Sequence, residues 1–290
     1  MNNQAQKLQE LVQSQGSKKS SKTRFIVITS GKGGVGKSTI SSNLAYLFAK
    51  YGVKVGIFDA DIGLANLDIM FNVKINKNIL HVLKGECSVE DVLIEITPNL
   101  TLIPGASGEE IFKYSDEGLF ERFMQDANVL NDLDVLLIDT GAGINEHIQL
   151  FLKASDDVIV VTVPDPSAIT DAYATVKVAS AQRDNIGMIL NQVRSEKEAK
   201  SVFGKIEKVA KHNISKDLKL ELIGKVNLDQ NIANSVKTRT LFTKEYPNSS
   251  STADLENIVK KLSKKLERNV LVDSQESGLS GFFKRLLQHF

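Results

Sequence analysis

The sequence holds a single cysteine, Cys87, and this scarcity excludes several kinds of protein. One cysteine can neither build a disulfide framework within the chain nor ligate an iron–sulfur cluster by itself. The four histidines are scattered without the spacing of metal ligands. No stretch approaches the roughly eighteen apolar residues of a membrane span, and the polar amino terminus lacks the apolar core of a signal peptide. We therefore expect a cytoplasmic protein.

The positive and negative charges nearly cancel. Lysine and arginine number 36 and aspartate and glutamate 35, so the formal net charge is +1. A balanced charge gives no global basic field that would favour nucleic acid as a partner. A chain of 290 residues with 42% hydrophobic residues fits one α/β domain with short tails.

Apolar β-branched runs alternate with helical patterns through most of the chain. Strands are predicted at 24–29, 53–58, 99–103, 134–139, 157–163, 186–191 and 220–226. Helices are predicted at 37–51, 115–131, 144–154, 167–184, 195–212 and 251–268. This alternation predicts a single doubly wound α/β domain, with a mostly parallel twisted sheet of about 7–8 strands and helices on both faces.

The domain is expected to span residues 24–268, with three further segments around it. Residues 1–23 read as a short helix followed by a Ser/Lys/Gly-rich flexible linker. A polar linker is expected at 269–277, and an amphipathic helix at 278–290.

A glycine-rich loop follows the first predicted strand and reads Gly31-Lys-Gly-Gly-Val-Gly-Lys-Ser-Thr39. Its spacing fits the Walker A phosphate-binding pattern, in which backbone N–H groups surround phosphate oxygens. Lys37 supplies a charge to the β- and γ-phosphates, and the Ser38 hydroxyl suits Mg²⁺. The helix that begins there directs its positive end at the anion. The residues predicted to bind nucleotide are Gly33, Gly34, Val35, Gly36, Lys37, Ser38 and Thr39.

Polar residues follow three further strands, and ligands of open α/β sheets bind outside these strand ends. Asp59 and Asp61 lie at alternate positions, so both can face the phosphates; helix capping is the alternative. Asp139 suits a Walker B aspartate that holds a Mg²⁺-bound water. The switch II loop after it contains Gly141 and Gly143, which would let the backbone move with the γ-phosphate. Asn191 has a donor and an acceptor that suit adenine; a turn residue is the alternative.

The second lysine of the loop, Lys32, makes it resemble the deviant Walker A loop of the MinD/ParA ATPases. The run from Asp59 to Asp68, which reads Asp-Ala-Asp-Ile-Gly-Leu-Ala-Asn-Leu-Asp, is similar to the switch I segment of the same family. The resemblance implies a SIMIBI-like P-loop NTPase that uses ATP, ADP and Mg²⁺ and forms an ATP-dependent homodimer.

The same resemblance implies roles for individual residues. Lys32 would reach across the dimer to the partner's nucleotide, although a solvated loop lysine is the alternative. Asp61 would orient the attacking water and Asp59 would support the Mg²⁺ shell. Asn191 would contact the base. Asp171 lies in a segment that in the family leads into a helix on the partner face, and is a candidate partner contact.

The last thirteen residues place apolar side chains on one helical face and basic or polar ones on the other. A short basic helix of this kind suits a bilayer interface. The alternative is a terminal helix docked on its own domain. The candidate membrane-binding residues are Leu279, Phe282, Phe283, Leu286, Leu287 and Phe290.

The amino terminus reads Asn3-Gln-Ala-Gln-Lys-Leu-Gln9 and resembles the Asp-Gln-Ala-x-x-Leu-Arg motif of the FlhG family, also called FleN or YlxH. That family controls flagellar number and placement, and its motif stimulates the GTPase FlhF. Gln4 would be the activating glutamine. Asn3 and Gln9 depart from the motif, which puts the strength of activation in doubt, and a polar tail without a partner is the alternative.

Together these features predict a slow, regulatory ATPase that acts as a switch on the inner face of the cell membrane, at the cell poles. Flagellar switch proteins or a flagellar transcription regulator are further candidate partners. The alternatives are a MinD-like division-site regulator and a ParA-like partition ATPase that binds DNA through basic surfaces. A lysine-rich stripe could serve the latter, but the carboxy-terminal helix argues against it. That stripe comprises Lys260, Lys261, Lys264, Lys265 and Arg268.

Overall fold

The computed structural model describes residues 23–61, 66–105 and 132–269, which form one mixed sheet with helices on both faces. The strands are β1 (Arg24–Ser30), β2 (Val55–Ala60), β3 (Ile94–Thr97), β4 (Leu100–Ile103), β5 (Val135–Ala142), β6 (Asp157–Thr162), β7 (Asn185–Val193) and β8 (Lys219–Asn227). Their spatial order is β3-β4-β2-β5-β1-β6-β7-β8. All neighbours are parallel except β3 and β4, which are antiparallel.

The helices are α1 (Lys37–Lys50), α2 (Leu67–Phe71), α3 (Ile79–Leu83), α4 (Glu146–Ala154), α5 (Pro166–Ser180), α6 (Glu196–Asn213), α7 (Gln230–Thr238), α8 (Phe242–Glu245) and α9 (Ser250–Asn269), with a 3₁₀ turn at Glu90–Val92. Side-chain oxygens cap two of the helices that follow strands: Asn145 caps α4 and Ser195 caps α6 by accepting backbone N–H groups of the first turn. Within the described ranges, no helix combines the length and the apolar character needed to cross a bilayer.

The two faces of the sheet bury separate hydrophobic cores. On β1, Phe25 and Val27 face the core shared with α4, α5 and α6. Ile26 and Ile28 face the other core, which is filled by α1 and α9. A strand whose successive side chains are all buried must be covered on both sides. The predicted doubly wound α/β fold is therefore confirmed.

Two of the differences from the sequence prediction concern strands. The edge strand β3 was not predicted, and it pairs antiparallel with β4 after the tight turn at 98–99. β5 continues to Ala142 rather than ending at Asp139, because its pairing with β1 extends to a contact between Ser30 and Ala142. The predicted helix at 115–131 lies outside the described residues.

Candidate nucleotide-binding site

The glycine-rich loop connects the central strand β1 to the first turn of α1. Gly36 is the N-cap of α1 and has a left-handed φ of 86°. A Cβ at this position would lie 2.4 Å from Nδ2 of Asn191, so both the backbone conformation and the available space require glycine. α1 thus begins directly after the loop and has no side-chain cap, and the free N–H groups at a helix start are the donors that a phosphate site uses.

Lys37 and Asp139 form an ion pair at the base of the loop. Lys37 Nζ lies 3.0 Å from Asp139 Oδ1 and 3.3 Å from Ser38 Oγ. Both charged side chains are buried, with 7% and 1% of their surfaces exposed. Ser41, one turn further along α1, also donates to Asp139 Oδ1 at 2.8 Å. Asp139 thus links Lys37, the predicted phosphate-binding lysine, to the sheet, and Ser41 is a further residue of the site that no sequence motif marks.

Asp59 lies beside Asp139, because β2 and β5 are neighbours and place these two residues in register. Asp59 is 2% exposed and accepts backbone N–H groups from Asp61 and Leu67, each at 3.2 Å. Burial and the negative charge of Asp139 raise the pKa of Asp59 to about 7. Burial also raises the pKa of Asp61, while the Lys37 charge opposes that rise. The site therefore holds more negative charge than Lys37 neutralises.

This arrangement fits a magnesium ion in its chemistry. Mg²⁺ is usually held by one or two carboxylate or hydroxyl oxygens together with water and substrate phosphates. Ser38, Asp59 and Asp139 supply such oxygens, and a divalent cation would offset the repulsion that raises the pKa of Asp59. The part of the chain that the structure describes has no cluster of three or more His, Cys, Asp or Glu side chains that could hold a metal ion by itself. A Mg²⁺ ion here would therefore need water and the nucleotide's phosphates as further ligands.

Lys32 lies on the opposite side of the loop and binds the start of α5. Its Nζ donates to Ser167 Oγ and lies 3.5 Å from Asp165 Oδ1. Asp165 caps α5 by accepting from the backbone N–H groups of Ser167 and Ala168. The hydrogen bond from the Ser167 hydroxyl is the main cause of the lowered pKa of Asp165. Asp165 and Ser167 match no sequence motif of their own, although both stand in the segment before Asp171 that resembles the family's partner region.

Asp171, the candidate partner contact, packs against the same loop through its backbone. A Cβ on Gly31 would lie 2.2 Å from the Asp171 carbonyl oxygen, so the loop and α5 touch closely at this point. The same carbonyl accepts from Thr175 Oγ1 at 2.9 Å. The loop and α5 are therefore in close contact, and the contact of Asp171 with a partner stays a prediction.

Asn191 is 4% exposed and supports the loop from beneath. Its Nδ2 donates to the Val35 carbonyl at 2.8 Å, and its Oδ1 accepts from Gln192 N at 2.9 Å. One amide hydrogen and one oxygen lone pair remain for the predicted base contact.

The other predicted site residues within the described ranges lie near the glycine-rich loop or at the end of β5. Gly33 and Gly34 are exposed at the tip of the loop, and Thr39 lies in the first turn of α1. Gly141 belongs to β5 rather than to a mobile loop, whereas Gly143 follows it with φ of 101° and donates to the Ser30 carbonyl. Gln4 and the candidate membrane-binding residues at 279–290 lie outside the described residues.

Comparison with known proteins identifies the family. The profile described as "ParA: NUBPL iron-transfer P-loop NTPase" matches residues 21–263. The chain belongs to the ParA/MinD family of P-loop NTPases.

Two relatives and one solved structure illustrate where this ParA/MinD-family chain lies within the family. It is 48% identical to the flagellum site-determining protein YlxH of Helicobacter pylori, covering 100% of this chain and 99% of the relative. It is 30% identical to the antiactivator FleN of Pseudomonas aeruginosa, covering 92% and 94%. The MinC:MinD cell division complex of Aquifex aeolicus matches with a TM-score of 0.67 and 26% identity, covering 88% of this chain and 100% of that chain.

Proposed function

We propose that the chain is an ATP-hydrolysing molecular switch that regulates the number or placement of flagella. The observation that supports this most is a buried Lys37–Asp139 pair beneath a phosphate-binding loop, in a chain 48% identical over its full length to YlxH. The similarity to flagellar relatives supports the flagellar role, and the geometry of the loop supports ATP hydrolysis.

The proposed reaction needs little covalent chemistry from the protein, since phosphoryl transfer depends mainly on positioning and charge neutralisation. Lys37 neutralises the β- and γ-phosphates, and Asp61 orients the attacking water. Ser38 would hold Mg²⁺, and Asp59 and Asp139 would bind its water shell. The ion would supply Lewis-acid stabilisation of the phosphoryl oxygens. Asn191 orients the base while it holds Val35 in place.

In the proposed ATP-dependent homodimer, Lys32 binds the nucleotide of the partner subunit. Lys32 is about half exposed (46%), and its contacts with Asp165 and Ser167 are at the surface. Surface ion pairs contribute only about 0–1 kcal/mol, so Lys32 can leave them for the phosphates of a partner's nucleotide at little cost.

The proposed membrane attachment uses the amphipathic helix at 278–290, through Leu279, Phe282, Phe283, Leu286, Leu287 and Phe290. One such helix binds a bilayer weakly. Two helices on one dimer gain avidity of roughly a hundredfold or more. ATP would thereby place the protein on the inner face of the cell membrane, at the poles.

Further partners follow from the relatives. Gln4 would stimulate FlhF, as the resemblance of residues 3–9 to the FlhG motif suggests. Because FleN is described as an antiactivator, a flagellar transcription regulator is a proposed partner, together with flagellar switch proteins.

Two substitutions test the nucleotide switch. Lys37→Ala should abolish ATP binding, hydrolysis and dimers, because it removes the charge that faces the phosphates. Asp61→Ala should abolish hydrolysis while ATP-bound dimers persist. Turnover of ATP and sedimentation velocity measure both, and Lys177→Ala, an exposed residue of α5, is the matched control. Dimers that survive Lys37→Ala, or turnover that survives Asp61→Ala, would contradict the respective role.

The flagellar role is tested in cells. Cells lacking the protein should carry an altered number or position of flagella by electron microscopy, and the wild-type chain but not the Lys37→Ala variant should restore the pattern. Normal flagella with misplaced division septa would instead indicate a division-site regulator.

A further inference from the structure

Lysines concentrate at the end of the molecule that lies opposite the nucleotide site, where α6 ends, β8 begins and α9 ends. A cavity of about 560 Å³ at this end is lined by Lys211, Lys216 and Lys219, with Asp184 and Asp217 between them. α9 reaches the same end, because Lys261 and Lys265 pair with Glu221 near the start of β8. We call this surface the basic end.

Two of the four acidic groups named for this surface are already paired with a lysine. Glu207 pairs with Lys211, and Glu221 pairs with Lys261 and Lys265. Five lysines of the basic end are exposed and form no ion pair within the described residues: Lys208, Lys216, Lys219, Lys260 and Lys264. The eight lysines and four acids named for this surface give it a charge of +4, compared with +1 for the whole chain. The stripe suggested by the sequence of α9 is thus divided: only Lys260 and Lys264 of its described lysines are unpaired.

The position of the basic end connects it to the carboxy-terminal segment. α9 ends at Asn269 on this side of the molecule, and residues 270–290 follow it in the sequence. The eight residues 270–277 span at most about 30 Å when fully extended. If residues 278–290 lie in a bilayer interface, the basic end stays within that distance of the headgroups.

We propose that the basic end is a second, electrostatic contact with anionic lipid headgroups, which acts together with the amphipathic helix. This inference rests on the proposed membrane attachment. A single amphipathic segment gives only marginal binding, and stable anchoring takes a second signal such as a polybasic patch. A lysine close to an anionic bilayer strengthens binding about fivefold, so Lys216, Lys219 and Lys264 together would contribute roughly a hundredfold.

The test compares two variants of the full chain that change charge equally. One carries Lys216→Glu, Lys219→Glu and Lys264→Glu. The matched control carries Lys74→Glu, Lys197→Glu and Lys237→Glu, three exposed lysines outside the basic end. Binding to vesicles of phosphatidylglycerol and phosphatidylethanolamine is measured with ATP at low and high salt, after circular dichroism and ATP binding show that each variant is folded.

We expect the basic-end variant to bind these vesicles at least a hundredfold more weakly than the wild type, while the control changes less than fivefold. The difference should shrink at high salt and vanish on phosphatidylcholine vesicles. Equal binding to vesicles by both variants would overturn the proposal. A basic-end variant that still binds lipid but no longer binds duplex DNA would also overturn it. A chain ending at Ser277 separates this proposal from the proposed membrane attachment. If the shortened chain still pellets as the full chain does, the amphipathic helix is not the membrane anchor. If the shortened chain loses binding while the basic-end variant keeps it, the basic end is not a lipid contact.

Discussion

Replacing Asp59 with asparagine should change how the stability of the protein depends on pH. The folded protein holds Asp59 with a pKa of about 7, compared with 3.8 for an ordinary aspartate. Between these values the folded chain binds a proton that the unfolded chain has released, so folding stability falls as the pH rises. Asp59 therefore destabilises the fold most above pH 7, where it is charged beside Asp139, and this destabilisation disappears as the pH falls toward 4.

The magnitude follows from the pKa difference, at about 1.4 kcal/mol per pH unit. Asp59→Asn removes this loss, so its stability relative to the wild type should rise by roughly 2–3 kcal/mol between pH 5 and pH 7. The amide oxygen can replace only part of the hydrogen bonding to Asp61 N and Leu67 N, which subtracts about 1 kcal/mol at every pH. The variant should also lose hydrolysis, because a neutral amide supports the Mg²⁺ shell poorly.

Urea unfolding from pH 5 to pH 8, with EDTA and without nucleotide, measures the difference. Asp217→Asn removes an exposed carboxylate and serves as the control, whose stability should follow that of the wild type at each pH. If the curves for Asp59→Asn and the wild type run parallel over this range, the reasoning about the Asp59–Asp139 pair is refuted.

Two further substitutions test the loop and the anchoring of helix α1 on α8. Gly36→Ala places a Cβ 2.4 Å from Asn191 Nδ2 at a residue with a left-handed φ. We therefore expect the affinity for ATP, measured by isothermal titration calorimetry, to fall more than tenfold. An unchanged affinity would contradict this. Asn43 Oδ1 accepts from both N and Oγ1 of Thr243, at 3.0 and 2.8 Å. Asn43→Ala leaves these buried donors unpaired and should lower the free energy of unfolding by about 2–4 kcal/mol; a double-mutant cycle with Thr243→Val that gives no coupling would refute the contact.

The central fold was predictable because its signals are local. Each buried parallel strand is a continuous apolar run such as Val135–Ile138, and a helical pattern follows most of them. β3 escaped prediction because Ile94–Thr97 is short and only partly buried, and it forms only by pairing with β4. The helices α2 and α3 are five residues each, too short to show a helical period.

The candidate site was predictable to the extent that each residue carries its own motif. Lys37, Asp59 and Asp139 stand at strand or loop ends where the chemistry can be inferred. Ser41 was missed because an ordinary serine in a helix gives no sign that it will face Asp139 on another element. Likewise, the contact of Lys32 with Asp165 and Ser167 joins positions 133 and 135 residues away in the chain, a distance that only the packing of α5 against the loop closes.

The central claim is that ATP controls membrane attachment, and vesicle co-sedimentation with ATP and with ADP tests it most directly. The full chain and a chain ending at Ser277 are compared on the same anionic vesicles. We predict that the full chain pellets with ATP and not with ADP, and that the shorter chain pellets with neither. Equal pelleting in both nucleotides, or pelleting that does not need the last thirteen residues, would contradict it.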